Sequence, residues 1–239
     1  VSPGFIDVHT HYDPQVLWDA ELSPSSWYGV TTVMLGNCGL TIAPMRPQSR
    51  ETCMQTLGTV EAMSVDALRE GIRWEFETFA EYLEAVARRR TSLNVASFVG
   101  HTALRMYEMG DNAGKPAGAE EIARMQRQLE QAMAAGAWGF STSRSPSHVD
   151  GQGRPVPSRA ATYAEVQALC DVCLLYTSDA ADDTPAAQIG DPGVVRRARV
   201  CGGGCHSRGE RARRIGAGFR QAGLAVEAAD DLDVATPGR

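Results

Sequence analysis

Lysine is almost missing from this chain. Lys115 is the only one, and arginine supplies nearly all the positive charge, a bias that reflects GC-rich coding more than function. Positive charge as a whole is in deficit. Lys and Arg total 23 against 29 Asp and Glu, a formal net charge of −6, which argues against nucleic acid or another polyanion as partner. No apolar run reaches the ~20 residues that span a bilayer, so no membrane partner is expected. There is no initiating methionine, and Val1 leads straight into an apolar segment, so no signal peptide is expected within the chain, which looks cut at its start. A cytoplasmic protein is expected, in which the six cysteines are reduced thiols or ligands and not a disulfide framework. Two enzyme signatures are also missing. No glycine-rich phosphate loop follows the first apolar segment, and no Gly-X-Ser-X-Gly elbow surrounds Ser141 or Ser143, so a serine nucleophile has little support.

What is present begins almost at the first residue. Pro3-Gly4-Phe5-Ile6-Asp7-Val8-His9-Thr10-His11 places two histidines one residue apart at the end of an apolar run. On a strand over Phe5–His9, residues i and i+2 share a face. His9 and His11 would then present two imidazoles together, with Val8 and Thr10 on the opposite layer. Neutral imidazole is the commonest metal ligand among side chains. His-X-His alone is equally compatible with two solvent-facing histidines, but the strand's C-terminal end is where α/β folds build their sites.

The rest of the first 172 residues alternates strands and helices. A second strand is expected at Val30–Leu35, ending in Gly36-Asn37-Cys38-Gly39, and a helical region around Glu51–Met63 follows. An amphipathic helix is expected over Phe76–Arg90, a strand over Leu93–Val99 running into Gly100-His101, and then a polar loop. A long helix over Ala119–Ala135 precedes a fourth strand, Ala137–Thr142, and a helix starting over Tyr163–Cys170. Each strand leads into polar residues, as in parallel β/α architecture. The expected fold class is α/β: a partial TIM barrel of roughly the first four strand-helix units. An open doubly wound sheet is the rival, disfavoured by the missing phosphate loop.

Four strand ends would meet on one rim: His9 with His11, Cys38, His101 and the Ser141–Arg144 cluster. A free cysteine is more often a small buried hydrophobe than a ligand, but Cys38 lies in a glycine turn across from the histidine pair. His101 could be a ligand, a supporting group or a substrate contact. Arg144 suits a substrate carboxylate, and an ordinary surface arginine is the alternative. Asp13 could orient a ligating imidazole, although a solvated loop carboxylate is the simpler expectation.

Pro3–Gln15 with its His-Thr-His-Tyr-Asp, Gly29–Pro44 with its Gly-Asn-Cys-Gly, Glu70–Tyr82, Val99–Arg105 and Gly136–Pro157 resemble the amidohydrolase superfamily. They are most similar to its N-acyl-D-amino-acid deacylase group, amidohydrolase family 3. The resemblance implies a metal-dependent barrel, joined to a small β-sandwich, that hydrolyses an amide or related C–N bond in a small N-acyl amino acid. It implies one or two zinc ions, with His9, His11 and Cys38 as ligands, and His101 and Arg144 are candidates for substrate contact. Zinc would acidify water and polarise the scissile carbonyl, and an aspartate from a late strand would move protons. That aspartate and the remaining histidine ligands have no counterpart here. Zinc takes about four ligands and the chain offers three, so a fragment inactive by itself is expected. Hydantoinase-like or dihydroorotase-like relatives are a rival reading. They usually bridge two metals through a carboxylated lysine, and Lys115 in its loop is a poor candidate. A non-catalytic zinc-binding protein is another rival.

From Cys173 the sequence changes character. Cys173-Leu-Leu-Tyr-Thr-Ser-Asp-Ala-Ala-Asp182 back-translates to a string resembling the end of a transposase-based sequencing-library adapter. Residues 1–172 are therefore expected to be barrel, and 173–239 a non-native, largely unstructured tail. Within it, Cys201, Cys205 and His206 imitate a metal cluster without a second ligand pair. The arginines of 196–199 and 208–214 imitate a nucleic-acid patch.

Overall fold

The computed structural model describes residues 4–182, with side chains described through Leu174. Strands β1 (Phe5–Asp7), β2 (Val30–Leu35) and β3 (Asn94–Ser97) pair in parallel in the order β1-β2-β3. Strand β4 (Val99–Gly100) pairs in parallel with β5 (Phe140–Ser141). The two sets meet at Phe98. Its N–H donates to Leu35 O (3.0 Å), while Ser97 O accepts from Trp138 N (2.9 Å) and Val99 N donates to Gly139 O (2.9 Å). Residues 94–100 thus act as one strand with β2 on one side and β5 on the other. Four successive strand segments run side by side in one direction, as a chain alternating strand and helix requires.

Among the described residues six α-helices lie between or after these strands: α1 (Arg50–Val60), α2 (Val65–Gly71), α3 (Phe79–Arg89), α4 (His101–Met109), α5 (Ala119–Ala135) and α6 (Tyr163–Asp182). Helix α3 starts three residues later than its periodicity suggests because Thr78 and Glu81 form a reciprocal cap: Glu81 N donates to Thr78 Oγ1 and Thr78 N to Glu81 Oε2. Helix α4 replaces a segment expected to be polar loop, and α2 lies between the helical regions expected around Glu51–Met63 and Phe76–Arg90. Ser64 caps α2, its Oγ accepting from Ala67 N. Helix α4 is enclosed along most of its length: His101–Met106 and Met109 are all buried.

The helices cover the strands around one core. Val33, Leu35, Val99 and Phe140 from the strands pack with Tyr82, Met125, Leu129 and Leu169 from α3, α5 and α6. Each such side chain, fully buried, contributes about 1.5–3 kcal/mol.

Helix α6 crosses the boundary expected at 172. It runs unbroken to Asp182, and Cys173 is buried in the core. The leucines and alanines of 173–182 are good helix formers whatever their coding origin. Cys201, Cys205, His206, the arginine clusters and the remaining tail lie outside the described residues.

Candidate metal centre

The first strand ends at Asp7, two residues short of the expectation, yet the alternation continues through His11. Thr10 extends the ladder: its N–H donates to Met34 O (3.2 Å) and its Oγ1 to the same carbonyl (2.7 Å). That fixes Thr10 inward, so its neighbours turn the other way. His9 is exposed and His11 half-buried, with ring centroids 5.3 Å apart and planes at 61°. Val8, expected on the buried layer, is exposed instead.

The third group arrives from the turn after β2. Gly36, Cys38 and Gly39 all have left-handed φ, of 76°, 56° and 73°. Gly36 has no alternative, because an added Cβ would press into the carbonyl of Phe98. Cys38 is different, since a Cβ residue in this region costs about 1–2 kcal/mol. The strain is borne where the thiol meets the histidines: Sγ lies 3.3 Å from His9 Nε2. Donor atoms of His9, His11 and Cys38 all fall within 4.8 Å of one another.

Two polar side chains tie the cysteine turn to the histidine segment. Asn37 Nδ2 donates to Thr10 O (3.2 Å) and Met34 O (3.0 Å). Asp13 is not solvated but almost wholly buried. Its Oδ2 accepts from Gly36 N (3.1 Å), so it holds the cysteine turn and not an imidazole. Burial pushes the Asp13 carboxyl up to about 7.

Two residues join the cluster without having been singled out in the sequence. Glu61, just past α1, places Oε1 3.4 Å from His11 Nε2, an arrangement that orients ligating imidazoles. His148, in the loop after β5, is close enough to His11 to act on it electrostatically. The Nδ1 atoms of His11 and His148 are buried and without a hydrogen-bond partner among the described residues. Nothing local marks Glu61, since a helix terminus 50 residues downstream carries no motif. His148 did carry a signal: it is one of five histidines and follows a strand end.

Burial, with His9 and His148 adding to it, lowers the His11 pKa to about 4. His11 is therefore neutral at pH 7, the form that ligates metal. Burial first, and then the Glu61 carboxylate, raises the Cys38 thiol to about 11. Two nitrogens and a sulfur, one imidazole already neutral, form a donor set suited to zinc.

His101 lies elsewhere. Expected as a substrate contact on the rim, it is fully enclosed at the start of α4, with both ring nitrogens engaged. Nδ1 meets Thr142 Oγ1 at 2.8 Å and Nε2 meets Glu165 Oε1 at 2.9 Å. Arg105 Nη1 also donates to Glu165 Oε1, and its other nitrogens reach Ala113 O and Lys115 O. Burial opposes the Glu165 charge, but hydrogen bonds from His101 and Arg105 outweigh it and hold the carboxyl below its usual range. The result is a buried network, with no imidazole atom free for substrate. Arg144 is exposed, and its Nη1 donates to Ala161 O (2.9 Å).

No helix of the described residues is long and apolar enough to cross a membrane. Comparison with known proteins finds a D-aminoacylase of Alcaligenes xylosoxydans xylosoxydans, 41% identical over 142 residues, covering 59% of this chain and 27% of that protein. A D-aminoacylase structure, from work on its binuclear metal centre, superposes with a TM-score of 0.56 at 35% identity, covering 74% of this chain and 33% of its own. An N-acyl-D-glutamate deacylase from Bordetella bronchiseptica, complexed with zinc and a phosphonate inhibitor, gives 0.51 at 31% identity, covering 72% and 32%. The chain thus spans a third or less of the length of these relatives. The amidohydrolase family profile matches residues 1–177, five residues beyond the boundary expected at 172. With that match covering most of its length, the chain belongs to the amidohydrolase family, in its third group.

Proposed function

We propose that this chain is part of a zinc-dependent hydrolase that deacylates N-acyl-D-amino acids, its four parallel strands being the first units of a (β/α)8 barrel. The observation that carries the reading is the convergence of His9, His11 and Cys38 within 4.8 Å, in a chain related to D-aminoacylases.

His9, His11 and Cys38 would hold the metal. Zinc bound there supplies a Lewis acid for an amide carbonyl and lowers the pKa of water to about 7. The chain's own residues do the preparatory work. Burial keeps His11 neutral, the Glu61 carboxylate beside Nε2 fixes its ring, and Asn37 and Asp13 hold the cysteine turn at the histidine segment. Arg144 is the candidate for the carboxylate of the amino acid. His101 supports the framework from within the core.

Metal content and hydrolysis test the reading separately. The purified chain is expected to retain zinc or cobalt after gel filtration, and His9→Ala and Cys38→Ala to lose it. A longer chain carrying this segment is expected to hydrolyse N-acetyl-D-amino acids in preference to the L-enantiomers, and both substitutions to abolish that activity. Hydrolysis surviving both would overturn the ligand assignment, and metal binding without hydrolysis in the longer chain would favour a non-catalytic zinc protein.

A further inference from the structure

We propose that Ser141 is a positioning residue for Cys38, clamping the cysteine turn from β5 so that the thiol is held at the histidine pair. The inference rests on the metal-site reading above and concerns a residue outside the donor set.

Ser141 is buried at the end of β5, more than 100 residues from the turn. Its Oγ accepts from Gly39 N (3.0 Å) and donates to Gly36 O. One hydroxyl therefore bridges the first and last residues of Gly36-Asn37-Cys38-Gly39, using both its donor and its acceptor capacity. The turn needs such a brace, because Cys38 occupies a left-handed conformation that only the surroundings can impose. Backbone contacts close the same joint. A Cβ on Gly100 would come within 2.7 Å of Gly39 O, and one on Gly39 within 3.2 Å of Thr142 Cα. The clamp is itself anchored: Thr142 Oγ1 meets His101 Nδ1, and His101 Nε2 meets Glu165. Asn37 and Asp13 restrain the turn from the β1 side. Ser141 is the side chain that restrains it from the β5 side at both ends.

Cobalt(II) titration of the 239-residue chain reads this directly through the near-ultraviolet thiolate-to-cobalt charge-transfer band. Ser141→Ala is expected to weaken cobalt binding by about 10–100-fold, the usual effect of losing a group that supports a ligand, with a diminished band at saturation. Ser141→Thr keeps the hydroxyl and is expected to restore most of both. Thr56→Ala is the control for general destabilisation. It removes a buried hydroxyl bonded to Thr52 O within α1 and not to the turn, and should leave cobalt affinity and the band unchanged. Wild-type affinity and band in Ser141→Ala would overturn the clamp while leaving the metal site intact, as would an equal loss in Thr56→Ala. No band in the wild-type chain would overturn the metal reading and the clamp together. If Ser141→Ala does not fold, amide exchange in the wild-type chain decides: the Gly39 N–H should be protected, and fast exchange there would refute the clamp.

Discussion

At Cys38 the usual order of glycine and alanine should reverse. In ordinary helix or strand positions glycine is less stable than alanine by about 0.5–1 kcal/mol, because it loses more backbone freedom on folding. Cys38 has φ 56° and ψ 16°, where a Cβ costs about 1–2 kcal/mol. Cys38→Ala keeps that cost and Cys38→Gly removes it. Glycine is therefore expected to be the more stable substitution by ~1 kcal/mol, the relief from strain exceeding the entropic loss. In a chain of this size that is about 2–4 °C in Tm. Urea unfolding of both variants in a chelator, with the slope m compared to exclude a change in the denatured state, measures the difference. Neither variant can supply a thiolate, so neither should show the cobalt band. With zinc at 100 times its dissociation constant, wild type should gain about 2.7 kcal/mol that neither shares. Cys38→Ala matching or exceeding Cys38→Gly in the chelator would show that the turn carries no strain. The inference that strain is tolerated there for the thiol would then fail.

Three further outcomes follow from the ties around the site. Asp13 has its pKa raised by burial from 3.8 to about 7, so folding disfavours its charged form. The metal-free chain should lose stability as pH rises across that window, at about 1.4 kcal/mol per unit of pKa displacement, and Asp13→Asn, followed by urea unfolding between pH 4 and 8, should flatten the decline. A profile unchanged by Asp13→Asn would refute the assignment. Glu165→Ala leaves the buried Arg105 guanidinium without its carboxylate and should cost about 3–5 kcal/mol, whereas Glu51→Ala, at a solvent-exposed pair with Arg69, should leave stability nearly unchanged. Asn37→Ala and Ser141→Ala release the same turn from opposite sides, so their combined effect on cobalt affinity should fall short of the sum by about 0.5–3 kcal/mol. Additivity within about 0.3–0.5 kcal/mol would mean the two ties act independently.

The difference between what the residues announce and what they conceal follows sequence distance and directionality. Strand β2 was legible to the residue, because six consecutive β-branched and apolar residues between glycines leave little else. Helix α5 was equally plain, its apolar stripe ending at Gly136 with φ 114°. Helix α4 was not: Gly100-His101 suggested a strand end running into polar loop, and the helix begins at that junction. His9, His11 and Cys38 were readable because each sits in a short motif with its own local logic. Most of the groups that arrange them were not, because they act across long stretches of sequence. Glu61 reaches His11 across 50 residues, and Ser141 reaches Gly39 across 102. Asp13 shows the same limit from the other side. Its place in a loop suggested a solvated carboxylate, with an imidazole partner as the alternative, and the fold gave it the Gly36 amide instead. His101 likewise offered a catalytic residue type at a strand end, yet a helix begins there and turns the ring into the core. Motifs can therefore disclose donors, whose chemistry is local, while the hydrogen bonds that set their geometry run to backbone groups of other elements. Those bonds exist only once parallel pairing brings the ends of β1, β2 and β5 together.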